Sequence, residues 1–268
     1  MAMACTGGLA ALLATASPAQ PQPMPLIPAP SVVRATPALW KIRDADTTIY
    51  LFGTFHTLDG RTAWFDSKVR QAFDSSGELV LETVIPADMS AASEHATEAG
   101  PDGKRRLKPF IAQTKAAMSQ GNAMGMSVEN GADAVLRRVA EDAGKTVSGL
   151  ERFEDQLKTL SNIPAAPPPA SAAAAPPAPT VTINDLLGAW TKGDTAAFST
   201  MLAGFEAKSP VAYRMLIADR NARWGQWIAD RLDQPGIVFV AVGTGHLAGR
   251  HSVQSWLAGR GIETTRVS

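Results

Sequence analysis

The chain has almost no cysteine and no net charge. Its single cysteine, Cys5, excludes both a disulfide framework and a cysteine-based zinc cluster. Basic and acidic residues number 25 each, so no bulk field draws the molecule onto nucleic acid or an anionic membrane. Long hydrophobic runs are also missing. The apolar stretch Cys5 to Ala16 falls short of the ~20 residues needed to cross a bilayer, so no stable membrane span is expected. There is no Gly-rich phosphate loop, no Gly-x-Ser-x-Gly elbow and no His-Glu-x-x-His helix. These absences argue against nucleotide use, serine hydrolysis and zincin chemistry.

What is present starts with an unusual N-terminus. The run Cys5 to Ala16 is built of small residues and leucines, and Ala14, Thr15 and Ala16 supply a small-x-small pattern before a Pro-rich stretch. That resembles the end of a secretory signal peptide without a basic leader, as though its start were truncated. Residues 1–19 are therefore expected to direct export to the periplasm or beyond, with 20–36 an unstructured leader. The alternative is a plain Ala/Pro tail.

Ordinary apolar content leaves enough for a sizeable core from residue 37 to 268. Leu39 to Arg43 and Thr48 to Phe52 predict a hairpin, Asp66 to Phe73 a short helix and Glu78 to Val84 a strand. Strand, helix and strand in that order imply parallel pairing. Further helices are expected over Leu107 to Gln120, Ala132 to Ala143, Phe153 to Leu160, Ile183 to Lys192, Thr195 to Phe205 and, as one long element, Val211 to Leu232. Thr146 to Leu150 predicts a third core strand. Ile237 to Val242 is continuously apolar, as suits a parallel strand buried on both faces. Ser252 to Ala258 and Glu263 to Val267 complete the pattern as helix and strand. The expected fold is α/β: a single domain with a central, largely parallel sheet flanked by helices. Residues 164–179 are almost entirely Ala and Pro, which cannot pack a core, and read as an extended insertion within that domain.

Two strand ends look alike. Apolar strands stop at Gly53 and at Gly243, and a histidine follows each three residues later, at His56 and His246. Glycine lets the backbone turn sharply and pass close to a ligand. In an open parallel sheet, ligands gather beyond the carboxyl ends of the strands. If the two strands are neighbours, the imidazoles can converge. Glu82 and Glu151 each stand at the end of a core strand, where a carboxylate needs a partner or water. Glu82 is the better candidate, since Glu151 could instead cap the following helix. Two imidazoles and a carboxylate form a common first shell for zinc, manganese or iron. The other two histidines read differently, His95 as solvated and His251 as a surface or helix-start residue.

On the long helix, Ile217, Trp224, Ile228 and Leu232 share one face at helical spacing, with Asn221 on that stripe and Arg220 beside it. A guanidinium facing an apolar interface needs a carboxylate or an anionic ligand. Arg220 could pair with a residue such as Glu82, or, with Asn221, orient a substrate carbonyl and stabilise developing negative charge.

Together, Gly53-Thr54-Phe55-His56, Leu81-Glu82, Gly149-Leu150-Glu151 with Gln156-Leu157, Trp190 with Gly193-Asp194, Asp219-Arg220-Asn221 and Gly243-Thr244-Gly245-His246-Leu247 resemble the TraB/GumN family over roughly residues 40 to 268. The Ala/Pro insertion departs from the pattern but avoids every motif. The resemblance implies a fold related to the Tiki metalloproteases and, more distantly, to haem-binding and erythromycin-esterase-like proteins. Carried over by position, it makes His56, His246 and Glu82 metal ligands and Glu82, Arg220 and Asn221 catalytic. It implies a divalent ion (Mn, Co or Zn) and a peptide or small amide or ester substrate. The leading expectation is thus an exported, metal-dependent, peptidase-like hydrolase of the cell envelope. The alternatives are a non-catalytic protein holding a peptide, glycan or haem-like ligand in the same crevice, and a structural partner of polysaccharide production with a vestigial site.

Overall fold

The structure is a computed structural model that describes residues 32–65, 67–86, 97–99, 105–164 and 181–268. Residues 1–31, His95 and all of the Ala/Pro insertion except Pro164 lie outside the described residues.

In chain order the elements are β1 (Val33–Arg34), β2 (Leu39–Arg43), β3 (Thr47–Thr54), β4 (Thr62–Ala63), α1 (Ser67–Ser75), β5 (Glu78–Leu81), β6 (Thr97–Ala99), β7 (Arg105–Leu107), α2 (Pro109–Ala123), α3 (Ala132–Asp142), β8 (Thr146–Gly149) and α4 (Phe153–Ser161). They continue with α5 (Ile183–Thr191), α6 (Ala196–Lys208), α7 (Pro210–Tyr213), a π-helical turn over Arg214–Ala218, α8 (Asp219–Arg231), β9 (Gly236–Gly243), α9 (Val253–Ala258) and β10 (Thr265–Arg266). The expected helices and core strands are present, within a few residues at each end. The pairs β1–β4 and β6–β7 carry too few residues to leave a period in the sequence.

Six strands form the main sheet, in the order β10-β2-β3-β9-β5-β8. The β2–β3 hairpin and β10 are antiparallel, while β3, β9, β5 and β8 run parallel. The parallel arrangement expected of β3 and β5 holds, but they do not pair directly. Strand β9, from the far end of the chain, lies between them and pairs with both.

This position explains the composition of β9. Phe239 and Ala241 face one hydrophobic cluster, with Phe52, Phe73, Leu79 and Trp190, and Val238, Val240 and Val242 face another, with Leu51, Trp224, Ile228 and Leu257. A strand covered on both sides has no polar face to alternate with.

The segment expected as one helix from Val211 to Leu232 is interrupted. The N–H of Asp219 bonds to the carbonyl of Arg214, five residues back, closing a wider turn between α7 and α8. That extra residue resets the helix phase just before Arg220 and Asn221, and both are buried.

Among the described residues no helix is long and apolar enough to cross a membrane.

Candidate functional site

The four parallel strands all end on one side of the sheet, and each delivers a polar residue there. Register sets their levels: Thr54 pairs with Gly243, and Leu81 stands between Ala241 and Gly149. His56 leaves the end of β3, Glu82 follows β5, Glu151 follows β8, and His246 follows β9 in a short 3-10 turn over Thr244–Leu247. The backbone N–H of Glu151 extends the ladder by bonding to Glu82 O at 3.0 Å.

Gly243 is where two of these residues meet. Its φ of −53° is open to any residue, so backbone strain does not call for glycine. Space does. A methyl group on its Cα would lie 2.9 Å from His56 Nε2 and 3.1 Å from Glu82 Oε1. The same Glu82 oxygen accepts the Gly243 N–H at 2.6 Å.

Beneath them is a buried charge cluster. Arg220 Nη2 donates to Glu82 Oε2 at 2.8 Å and also to Glu151 Oε1, while its Nε reaches Glu151 Oε2 at 3.2 Å. One guanidinium thus serves two carboxylates, all three side chains being about nine-tenths buried. Arg220 Nη1 donates to Leu216 O and to His246 Nε2, each at 3.3 Å. Its guanidinium also lies 4.5 Å from the Trp224 ring centroid, a cation–π contact.

The protonation state of His246 follows from its neighbours. Arginine can only donate, so Nε2 must be the acceptor and Nδ1 must carry the hydrogen. Nδ1 donates to Asn221 Oδ1 at 2.6 Å, and Asn221 Nδ2 donates to the carbonyls of His246 (3.2 Å) and His251 (2.7 Å). Burial, then the Arg220 and His56 charges, outweigh the attraction of Glu82 and hold His246 down at about 3, hence neutral. For Glu82, burial alone would raise the carboxyl. His246, Arg220, His56 and the Gly243 amide reverse this and leave it at about 2. Because His246 is uncharged at neutral pH, Arg220 and His56 are the cations that hold Glu82 ionised there.

His56 is the exposed member, with 61% of its side chain open to solvent. Its Nδ1 bonds to Asp133 Oδ2 at 2.7 Å, and Thr54 Oγ1 donates to the other oxygen of Asp133 at the same distance. Asp133 raises the imidazole to about 9, against the opposing effect of desolvation, although water on the open side screens part of that attraction. With Nδ1 held by Asp133, Nε2 faces Gly243.

Asp133 is the functional neighbour that the sequence does not reveal. It lies in the first turn of α3, where an acidic residue is ordinary compensation for the helix dipole. The nearest sequence signal is Gly131, whose Cβ would lie 2.1 Å from the carbonyl oxygen of His56. The start of α3 can therefore press directly on the first Gly-x-x-His turn, where Ala132 N–H bonds to Phe55 O at 3.0 Å. Trp190 braces the same turn, its Nε1–H donating to Gly53 O at 2.9 Å.

The structure thus brings His56, Glu82, Arg220, Asn221 and His246 to one end of the sheet. Glu151 joins them through Arg220 and makes no cap on α4. Exposed His251 lies to one side, its Nδ1 3.1 Å from the Tyr213 hydroxyl.

A family model matches residues 38–104 and 84–266, most of the chain. The chain belongs to the TraB/PrgY/gumN family. Searches of curated proteins and of solved structures return no match.

As a metal site the family member offers an incomplete donor set. Among the described residues no group of three His, Cys, Asp or Glu side chains is arranged to hold an ion. Two donors do fit: His56 Nε2 and Glu82 Oε1 border the gap that a side chain at Gly243 would fill. The lone pair of His246 Nε2, 3.8 Å from Glu82 Oε1, is turned instead to Arg220.

Proposed function

We propose that this TraB/PrgY/gumN protein is a metal-dependent hydrolase of peptides or related amides and esters, exported to the cell envelope. The observation that carries the reading is the pair His56 Nε2 and Glu82 Oε1, both within about 3 Å of one point beside Gly243. These two residues would hold the ion, with His56 giving up its Nε2 proton to do so. His246 would join them only on release from Arg220. When bound, a divalent ion lowers the pKa of a coordinated water and polarises a carbonyl.

The chain's own residues supply the rest. Asp133 keeps the Nδ1 side of His56 occupied, so that Nε2 stays turned to the cleft, and Thr54 fixes Asp133 in turn. Arg220 keeps Glu82 ionised and immobile, and places positive charge close to where a tetrahedral oxyanion would form. Asn221 locks the His246 tautomer. The N-terminal run Cys5 to Ala16 supports export.

The test is calorimetric titration with Mn²⁺, Co²⁺ and Zn²⁺, alongside hydrolysis of a panel of peptides and esters. Uptake that His56→Ala abolishes, with turnover only in the loaded protein, is the expected result. No uptake, or uptake unchanged by replacing His56 and His246 together with alanine, would overturn the reading. The hold of Arg220 on His246 favours a second reading, a binding protein without turnover. Ligand retention without cleavage, at any metal loading, would select it.

A further inference from the structure

Two cavities open on either side of His56, and His56 and Thr57 form their common wall. One, of about 320 Å³, has the second Gly-x-x-His turn as its floor. Ile183, Leu186, Phe198, Met201, Leu202 and Ile217 make up its apolar sides. The other, of about 420 Å³, is lined by Glu82, Asp133 and Arg137 and by the apolar Leu81, Ile85, Met118 and Val128. Each is at the small end of the ~300–1,000 Å³ range of ligand pockets, and together they make a two-lobed cleft with the reacting groups at its waist.

Two features say what the cleft takes. The first lobe contains no charged side chain other than His56, so a charged group entering it would lose its water without a partner. The second carries exposed apolar groups, Ile85, Met118 and Val128 at 49%, 42% and 36%, beside Arg137, whose guanidinium is held by Ile85 O and Glu141. Exposed apolar groups gathered around a cavity mark a contact surface, and a flexible methionine lets that surface adapt.

We infer that the cleft binds an uncharged peptide segment that crosses over His56, with a large aliphatic or aromatic side chain in each lobe. The substrate class is then set by two apolar subsites flanking the reacting carbonyl. The inference rests on the hydrolase reading only for which bond would be cut. Binding itself needs neither metal nor turnover.

Its test uses three probes on the full chain without added metal: the acetylated, amidated dipeptides of leucine, lysine and aspartate, with affinities read by calorimetry. The dileucine probe should bind roughly tenfold or more tighter than either charged one, the usual scale for filling an apolar pocket. Met118→Glu and Leu186→Glu, one in each lobe, should each weaken dileucine binding by about fivefold or more. Met118→Glu should also improve binding of the dilysine probe. If Leu186→Glu fails to fold, the wild-type panel and Met118→Glu, at an exposed position, still decide. Equal affinities for all three probes, or dileucine binding untouched in Met118→Glu, overturns the inference. Tight dileucine binding with no cleavage at any metal loading leaves the inference standing and removes the hydrolase reading.

Discussion

Replacing Arg220 by methionine takes the buried counter-ion from Glu82 and leaves Glu151 only the exposed Arg223, 3.8 Å away. The side chains of Glu82 and Glu151 are only 12% and 10% exposed, and Arg220 is the buried cation that both of them contact. Breaking a buried ion pair by deleting one partner costs about 3–5 kcal/mol, because the remaining charge stays buried without compensation. The titration of Glu82 sets a scale for the whole cluster. A carboxyl held at about 2 instead of the ordinary 4.5 contributes about 3 kcal/mol of stability at neutral pH. That figure is the net of burial, His246, Arg220, His56 and the Gly243 amide together, so Arg220 supplies only part of it.

The sign with pH follows from the depressed pKa. The contribution is complete above 4.5 and disappears as pH falls through about 2. Urea denaturation of the wild type and of Arg220→Met should therefore differ by about 3–5 kcal/mol at pH 7, or about 6–20 °C in Tm for a domain this large. The gap should narrow as pH falls from 7 to about 2, because protonating Glu82 removes the charge that the variant leaves unpaired. Replacing Glu82 and Glu151 by glutamine in the same chain should restore much of the loss, since neither group is then charged. A gap below about 1 kcal/mol, or one of constant size across that range, would refute the assignment of Arg220 as the counter-ion of both carboxylates.

Three other perturbations separate the roles of neighbouring residues. Gly243→Ala is compatible with the backbone, and its new methyl meets only the tips of His56 and Glu82, so Tm should move by no more than about 2 °C while metal uptake is lost. A large fall in Tm would contradict that picture. In Asp133→Asn the His56 imidazole should titrate well below about 9, toward its ordinary 6.5, as followed by NMR of the ring protons; an unchanged midpoint would mean that Asp133 is not its partner. Gly131→Ala places a methyl 2.1 Å from the backbone oxygen of His56, which cannot swing aside as a side-chain tip can. It should destabilise the fold by about 1–3 kcal/mol or more, measurable by denaturant unfolding, and a near-neutral effect would show that the start of α3 is free to retreat.

Much of this molecule can be read from its residues in order, for a local reason. Apolar runs with a period of two or of about three and a half mark strands and helices wherever one face meets a core, so the hairpin at Leu39–Thr54, α1, α3 and β9 are all visible as pattern. The continuous apolar character of Ile237 to Val242 even indicates a central strand. The glycine-then-histidine turns at Gly53 and Gly243 are visible because a strand that ends at glycine breaks its own period.

Only the tertiary structure decided what those turns face. The insertion of β9 between β3 and β5 joins residues nearly two hundred positions apart, and pairing order in a sheet leaves no periodic trace in the chain. The role of Asp133 is hidden for the same reason: the first turn of a helix favours an acidic residue whether or not a histidine lies beyond it. The π-helical turn before Arg220 likewise leaves no period in the sequence: it shifts the helix phase by one residue, and the Arg220 beyond it meets Glu82 and Glu151. Sequence therefore named most of the residues of this site, and the fold determined which of them are partners.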